Sequence, residues 1–366
     1  MPMPNYWSHF NPVKICVGDS LILLSSILSQ QDRVLLLTSK SFEKRGLIEK
    51  IKRELDVSAF YFYSQVTTNP DLDDLEMLAA QYKSKQISVI IALGGGSVID
   101  SAKVLSVTLL SNVEKPLTDL FRNGLSTQWI QNIPVIALPT TAGTGSEVSP
   151  FATVWDNRFN KKHSLLTDNI FPKFAILDAA LTLTLSQEQT LYSGLDTVSH
   201  ALESLWNKNR TPLSELYALQ ALHLVNQSLN SVIVEPHNIE FRINMQQASL
   251  LAGLAISQTK TAIAHSISYP LTAHYGVPHG LACSFTLVNI ITLYLEENSG
   301  SSFESIMIQT QSMLLGFDLF KHLEKYVTSE HVKAVKAEMI NPDRLGNFDL
   351  DLDDFDFLLG ASPHSV

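Results

Sequence analysis

The order of apolar runs predicts an α/β N-terminal domain built on a parallel sheet, followed by an all-helical C-terminal domain. Three observations carry this. Short apolar runs in the first half are separated by amphipathic stretches, which is how buried parallel strands with crossover helices read. Two of those runs lead directly into glycine-rich turns. After about Asp178 the strand-like runs fade, and long stretches with helical spacing take over.

Taken in order, the expected strands are Arg33–Thr38, Ile87–Leu93 and Pro134–Leu138, each a short, mostly apolar run as in a sheet covered on both faces. Residues 42–55 and 71–85 have helical spacing. The second of these is opened by Asn69-Pro70 and places Asp71, Asp73 and Asp74 where they favour a helix N-terminus. In the second half, residues 186–207, 212–229 and 240–264 read as long helices. No Gly/Ser linker or repeat marks a border, so the change of pattern sets the expected domains at 1–180 and 181–366. Near the end, Asp349-x-Asp351-x-Asp353 imitates the opening of a calcium loop. Its sixth position would need Gly and its twelfth Glu, whereas Asp354 and Gly360 stand there. The acidic run instead suits the start of a last short helix ending at Gly360.

A chain of 366 residues with 45% hydrophobic and 8% aromatic content has enough apolar surface for two cores, at roughly 100–200 residues per domain. Lys and Arg number 26 against 36 Asp and Glu, a net charge of −10 without any dense basic stretch, which argues against nucleic acid as a partner. The only cysteines, Cys16 and Cys283, cannot build a disulfide framework or a cysteine-based zinc site, as expected of a reducing compartment. Residues 1–7 lack a charged segment followed by an apolar one, and the run 21–28 is interrupted by Ser25 and Ser26. The expectation is a cytoplasmic protein with no secretion signal and no membrane span.

The run ending at Leu93 passes straight into Gly94-Gly95-Gly96-Ser97 and then into a helical stretch. A glycine turn at a helix N-terminus lets backbone approach a phosphate while unpaired amides point at it. A second Gly/Thr-rich segment, Pro139-Thr140-Thr141-Ala142-Gly143-Thr144-Gly145-Ser146-Glu147, also follows a strand. Two such loops at the carboxyl ends of parallel strands favour a dinucleotide. Farther on, Asp196 and His200 stand four apart in a helical pattern and share a face. His265 lies in another helical run, and His279 follows fourteen residues later in Pro278-His279-Gly280. One carboxylate and three imidazoles form a borderline-hard donor set suited to Fe(II) or Zn(II), with room for a substrate oxygen. His274 is a spare that could face such a site.

Together these motifs resemble the iron-containing (group III) alcohol dehydrogenases. They are Gly94-Gly-Gly-Ser97-x-x-Asp100-x-Ala-Lys103, the 139–147 segment, Asp196-x-x-x-His200 and the His265/His279 pair, in family order over about residues 30–290. The resemblance implies a nucleotide-binding domain, a helical metal- and substrate-binding domain and a cleft holding NAD or NADP with a divalent iron. By the same resemblance Asp196, His200, His265 and His279 are the metal ligands and the catalytic centre. Gly95, Gly96 and Ser97 contact the pyrophosphate, Thr140 and Thr141 lie on the adenosine side, and Asn69, Asp100, Lys162 and Leu177 line the cofactor cleft. The implied reaction interconverts a small aldehyde and a primary alcohol: nicotinamide supplies hydride and the metal acts as Lewis acid. A homo-oligomer, with a dimer favoured, is the implied assembly.

Two positions depart from the family. Where members often carry Thr-Asp-Lys after the first strand, this chain has Thr38-Ser39-Lys40. Ser39 therefore offers no carboxylate to the ribose hydroxyls and no repulsion to a 2′-phosphate, so NADP is expected to serve as well as NAD. Four residues after His265, where many members have a further histidine, stands Tyr269. The segment Lys260-Thr261-x-x-x-His265-Ser-x-Ser268-Tyr269 resembles that of the family's phosphonoacetaldehyde reductases, which implies Lys260, Ser268, Tyr269 and His274 as substrate-side residues. The alternatives are a glycerol-dehydrogenase-like zinc polyol dehydrogenase and a dehydroquinate-synthase-like lyase.

Overall fold

The computed structural model describes residues 6–350 and 355–360. Among the described residues the strands are β1 (Lys14–Val17), β2 (Arg33–Thr38), β3 (Ala59–Tyr63), β4 (Val89–Gly94), β5 (Val135–Pro139), β6 (Phe151–Asp156), β7 (Lys161–Leu166) and β8 (Phe174–Leu177). Six form one sheet in the order β1-β8-β5-β4-β2-β3, with every neighbouring pair parallel. β6 and β7 form a separate antiparallel pair. The expected strands are thus present. Of the additional ones, β1 and β8 have only four residues each and β7 is too polar to stand out, while β3 and β6 are as long as the expected strands.

Around the sheet run α1 (Ser20–Ile27), α2 (Lys40–Lys44), α3 (Leu47–Glu54), α4 (Leu72–Tyr82), α5 (Gly96–Thr108) and α6 (Pro116–Phe121). The period-2 geometry of a strand explains why the central strands are apolar throughout. Leu35, Leu37, Ile90, Ala92, Val135 and Ala137 pack with Leu78 and Ala79 of α4 and Ile99 and Ala102 of α5. The alternate residues Val34, Leu36, Ile91, Leu93 and Ile136 pack with Leu24 of α1, Phe42 of α2 and Ile48 and Ile51 of α3. The expected 42–55 helix is broken in two, because Gly46 takes a left-handed φ of 71° between α2 and α3. From β2 the chain moves outward to β3, then returns to the far side of β2 as β4. The carboxyl ends of β2 and β4 therefore flank the point where strand order reverses, where open α/β sheets offer a crevice.

The helical part comprises α7 (Gln187–Leu205), α8 (Pro212–Val234), α9 (Ile239–Thr259), α10 (Ile263–Tyr275), α11 (His279–Ala282), α12 (Leu287–Glu297), α13 (Glu304–Leu315) and shorter helices, including one at Phe355–Leu359 before Gly360. Asp351, Asp353 and Asp354 lie outside the described residues. α7 is buried along nearly its whole length, the mark of a central helix. Its Leu195, Val198 and Leu202 pack with Ala218, Leu222 and Val225 of α8 and with Ala248 and Ala252 of α9. The expected 240–264 helix stops at Thr259. Lys260 turns out of it at a φ of 64°, and α10 starts afresh at Ile263.

The chain divides into two compact units, with the main change from one to the other at Thr182/Leu183. The division is not sequential, however. Ala142–Gly145 and, among the described residues, 6–10 belong to the helical unit. Two glycine contacts explain the first of these. A Cβ on Gly143 would meet the Ser193 carbonyl oxygen at 2.6 Å, and one on Gly145, at φ 60°, would meet Gly253 Cα at 2.4 Å. Among the described residues no helix is long and apolar enough to cross a membrane.

Candidate functional site

Within the helical unit, Ser186 caps α7 by accepting a hydrogen bond from the Gln189 amide. Two and a half turns into this fixed helix, Asp196 and His200 project side by side. Their side chains are buried, as is that of His265 on α10, while His279, the first residue of α11, is 35% exposed and forms the open side. The Nε2 atoms of His200, His265 and His279 each lie 3.8 Å from one atom, Asp196 Oδ1. That is too long for hydrogen bonds. Two donor atoms bound at about 2.1 Å to a common ion lie at most about 4.2 Å apart, so the spacing suits ligands that share a cation. One carboxylate with three neutral imidazoles balances half the charge of a divalent ion and fits Fe(II) or Zn(II).

The Nδ1 atoms of His200 and His265 face groups that decide which ring nitrogen carries the hydrogen. His200 Nδ1 lies 3.2 Å from the Gly143 carbonyl oxygen. His265 Nδ1 lies 2.7 Å from Glu203 Oε2. Both acceptors place the ring hydrogen on Nδ1 and leave Nε2 as a lone pair toward Asp196. The His200 and His265 rings also stack, 4.8 Å between centroids and 13° from parallel. Beside His279, buried Cys283 sets its Sγ 3.5 Å from Nδ1 and 3.6 Å from Nε2. Cys283 Sγ and the donor atoms of Asp196, His265 and His279 all fall within 4.8 Å of one another. Gly280 is obligatory for this approach, since a Cβ there would sit 1.8 Å from the Tyr192 carbonyl oxygen.

Glu203, Gly143 and Cys283 join the site beyond the residues that the sequence singles out for it. Glu203 stands seven residues after Asp196 and Cys283 four after His279, so helical spacing alone places both beside ligand candidates. Gly143 carried no such signal. The glycine-rich 139–147 segment was read as a nucleotide loop, but its Ala142–Gly145 part serves the helical unit: Thr197 Oγ1 donates to the Ala142 carbonyl, and Gly143 holds His200.

In the sheet unit, β4 ends at Gly94, Gly95 occupies the N-cap position and α5 begins at Gly96. A side chain on Gly94 would strike Val98 at 2.4 Å, which explains the tight turn. Ser97 Oγ accepts from the Asn69 amide, Asn69 having a φ of 58°. Thr140 donates its amide to the Gly94 carbonyl, and Thr141 lies against Gly95. Gly95, Gly96, Ser97, Asn69, Thr140 and Thr141 are thereby brought together at the ends of β4 and β5. Leu177 ends β8, the next strand, where its carbonyl accepts from the Gly18 amide. Ser39, half-buried, ends β2 at the N-cap position of α2 without capping it through its side chain. Lys162, on β7, sets its ammonium 5.7 Å from the centroid of the Trp155 ring.

Asp100 is engaged differently. Its carboxylate accepts from Ser146 Oγ at 2.5 Å and from the Thr153 amide at 2.8 Å, bracing the start of β6. Beside it Lys103 is wholly buried, donating to Ser146, Ser149 and the Phe151 carbonyl. Burial pushes Lys103 down to about 8 and the Asp100 carboxyl upward. The motif's Asp and Lys thus work as an internal strut beneath the glycine turn. Of the substrate-side candidates, Lys260 is exposed and its carbonyl accepts from Asn207, Ser268 is buried and donates to the His265 carbonyl, and Tyr269 is half-buried. His274 pairs with Glu338 at 2.7 Å.

Comparison with known proteins agrees with this architecture. A family model described as iron-containing alcohol dehydrogenase matches residues 12–179, and one described as the C-terminal part of the Fe-containing alcohol dehydrogenase family matches residues 190–358. Sulfoacetaldehyde reductase of Bilophila wadsworthia (strain 3_1_6) is 31% identical over 255 residues, covering 69% of this chain and 65% of the relative, slightly less than two thirds of its length. Phosphonoacetaldehyde reductase of Streptomyces viridochromogenes is 31% identical over 277 residues, covering 74% and 69%. The crystal structure of sulfoacetaldehyde reductase from Bifidobacterium kashiwanohense in complex with NAD+ superposes with a TM-score of 0.84 at 26% identity, covering 97% of each chain. Matches of this length to both halves, on a fold shared over nearly the whole chain, mean that the protein belongs to the iron-containing alcohol dehydrogenase family.

Proposed function

We propose that the protein is a metal-dependent NAD(P)H oxidoreductase that interconverts a small aldehyde and a primary alcohol. The observation that carries this reading is the convergence of three imidazole Nε2 atoms on Asp196 Oδ1, each at 3.8 Å. Asp196, His200, His265 and His279 would hold Fe(II), with Zn(II) as the alternative ion. When bound, the metal supplies Lewis acidity toward a carbonyl or alcohol oxygen and the nicotinamide supplies hydride. The chain's own residues do the positioning. Gly143 and Glu203 fix two of the imidazoles, and the buried helices around them keep water from the ligand face. Partly exposed His279 leaves access for substrate. In the sheet unit, the amides of Gly95 and Gly96 at the start of the 13-residue helix α5 suit a pyrophosphate. Ser39 would meet the ribose without a carboxylate, so NADP and NAD are both accommodated.

For the substrate we propose a two-carbon aldehyde bearing an anion, phosphonate or sulfonate, reduced in the cytoplasm by a homodimer. Support comes from the two relatives named for such aldehydes and from exposed Lys260, which opens the short link to the helix of His265. Anaerobic reconstitution of the metal-free protein with Fe(II), Zn(II) or neither, assayed with NADH and NADPH on phosphonoacetaldehyde, sulfoacetaldehyde and propanal, tests the whole reading. Turnover that needs metal, vanishes in Asp196→Ala, and favours the anionic aldehydes until Lys260→Met removes that preference is the expected result. Metal-independent turnover, or wild-type metal content in Asp196→Ala, overturns the metal assignment. Equal kcat/KM on all three aldehydes overturns the substrate.

A further inference from the structure

We infer that Glu203 is a positioning residue of the metal centre, fixing the ring of His265 and tying the helix of Asp196 and His200 to the helix of His265. The inference rests on the metal reading above. Glu203 follows Asp196 by seven residues and His200 by three, so all three lie on one face of α7. Its side chain is 0% exposed. Oε1 accepts from the His265 amide at 3.0 Å, and Oε2 accepts from the Ala262 amide at 2.9 Å and faces His265 Nδ1 at 2.7 Å.

Two of these three donors are orphan amides at the start of α10, whose N-cap residue Ala262 has no side chain able to cap. Glu203 therefore caps α10 from another helix. Burying a carboxylate is costly, and a Ser at position 262 would cap the helix locally without it. What a local cap cannot provide is the acceptor for Nδ1–H. That acceptor holds His265 in the tautomer whose Nε2 carries a lone pair and keeps the ring turned toward Asp196 Oδ1. On the opposite side Arg344 Nη1 donates to the His265 carbonyl at 2.8 Å and steadies the backbone.

Glu203→Gln keeps the shape but brings one amide NH2. At the Oε1 position it meets the His265 N–H. At the Oε2 position it meets the Ala262 N–H and donates to Nδ1, which drives the ring hydrogen onto Nε2, the metal-facing atom. The metal-free full-length chain is titrated with Co(II) against a competing chelator, comparing wild type, Glu203→Gln, Glu203→Asp and Asp196→Ala, with melting of each metal-free form alongside. Glu203→Gln should weaken binding about 10–100-fold, with Glu203→Asp recovering part of the loss. A cap alone would shift melting and leave affinity below the transition unchanged. Binding by Glu203→Gln within about threefold of wild type, while Asp196→Ala abolishes it, overturns the inference and spares the metal reading. Undiminished binding by Asp196→Ala overturns the metal reading instead. Long-range 15N–1H spectra of the metal-free wild type decide the matter if the variants fail to fold. His265 protonated on Nδ1 supports the inference, and protonation on Nε2 overturns it.

Discussion

Replacing Gly280 by Ala would drive a Cβ to within 1.8 Å of the Tyr192 carbonyl oxygen, a backbone atom with nowhere to retreat. Gly276, four residues earlier, has a φ of 66° and open space around its missing Cβ, so Ala there meets only the conformational penalty of about 1 kcal/mol. Gly280→Ala should cost more, about 2–3 kcal/mol, and should also weaken metal binding, because the residue adjoins His279. Thermal unfolding and metal titration of the two variants side by side check the ranking, and equal costs would contradict it. At this scale the sequence was readable where one element carried the information: Asp196 and His200 declare themselves by their spacing of four. Glu203 shares their face by its spacing, but its role, like that of Gly143, depends on a distant histidine or helix being placed against it.

Among elements, α4, α6 and β6 are pinned by Arg122, at the end of α6, which reaches Asp73 of α4 at 2.7 Å and buried Asp156 of β6 at 2.8 Å. The guanidinium holds the Asp73 and Asp156 carboxyls below the ordinary value of 3.8. Because the native values are depressed, this contribution is complete above pH 3.8 and disappears as pH falls below it through the native values. Arg122→Met leaves Asp156 buried without its partner and should cost about 3 kcal/mol near neutrality. Urea midpoints measured from pH 7 down to pH 3 should show the gap between wild type and variant constant above pH 5 and narrowing below about 3.8. A constant gap throughout would remove the ion pair from the account. The elements most easily foreseen were the central strands and long helices, whose apolar periodicity is set by burial. Of those missed, β1 and β8 have four residues each and β7 is polar, whereas β3 and β6 equal β5 and β2 in length, and the breaks at Gly46 and Lys260 depend on single backbone angles that apolar spacing does not register.

On the scale of the whole molecule, buried strands and buried helices use different apolar periods, so the texture of the chain changes near Asp178, while the main division between the two compact units falls at Thr182/Leu183. What pattern could not reveal is that the border is crossed more than once. Four residues from the first half, Ala142–Gly145, belong to the helical unit, where Gly143 holds His200 and Gly145 rests on Gly253. A gene made by joining two self-sufficient modules end to end would not place a support for one module inside the coding stretch of the other. The two halves are interleaved in the chain: no single crossover point separates the helices of Asp196, His200 and His265 from all that steadies them. Gly145→Ala, a change 38 residues before the helical half begins at Leu183, should therefore lower metal affinity in that half while cofactor binding by the sheet unit stays as it was, as paired metal and NAD(P)H titrations would register.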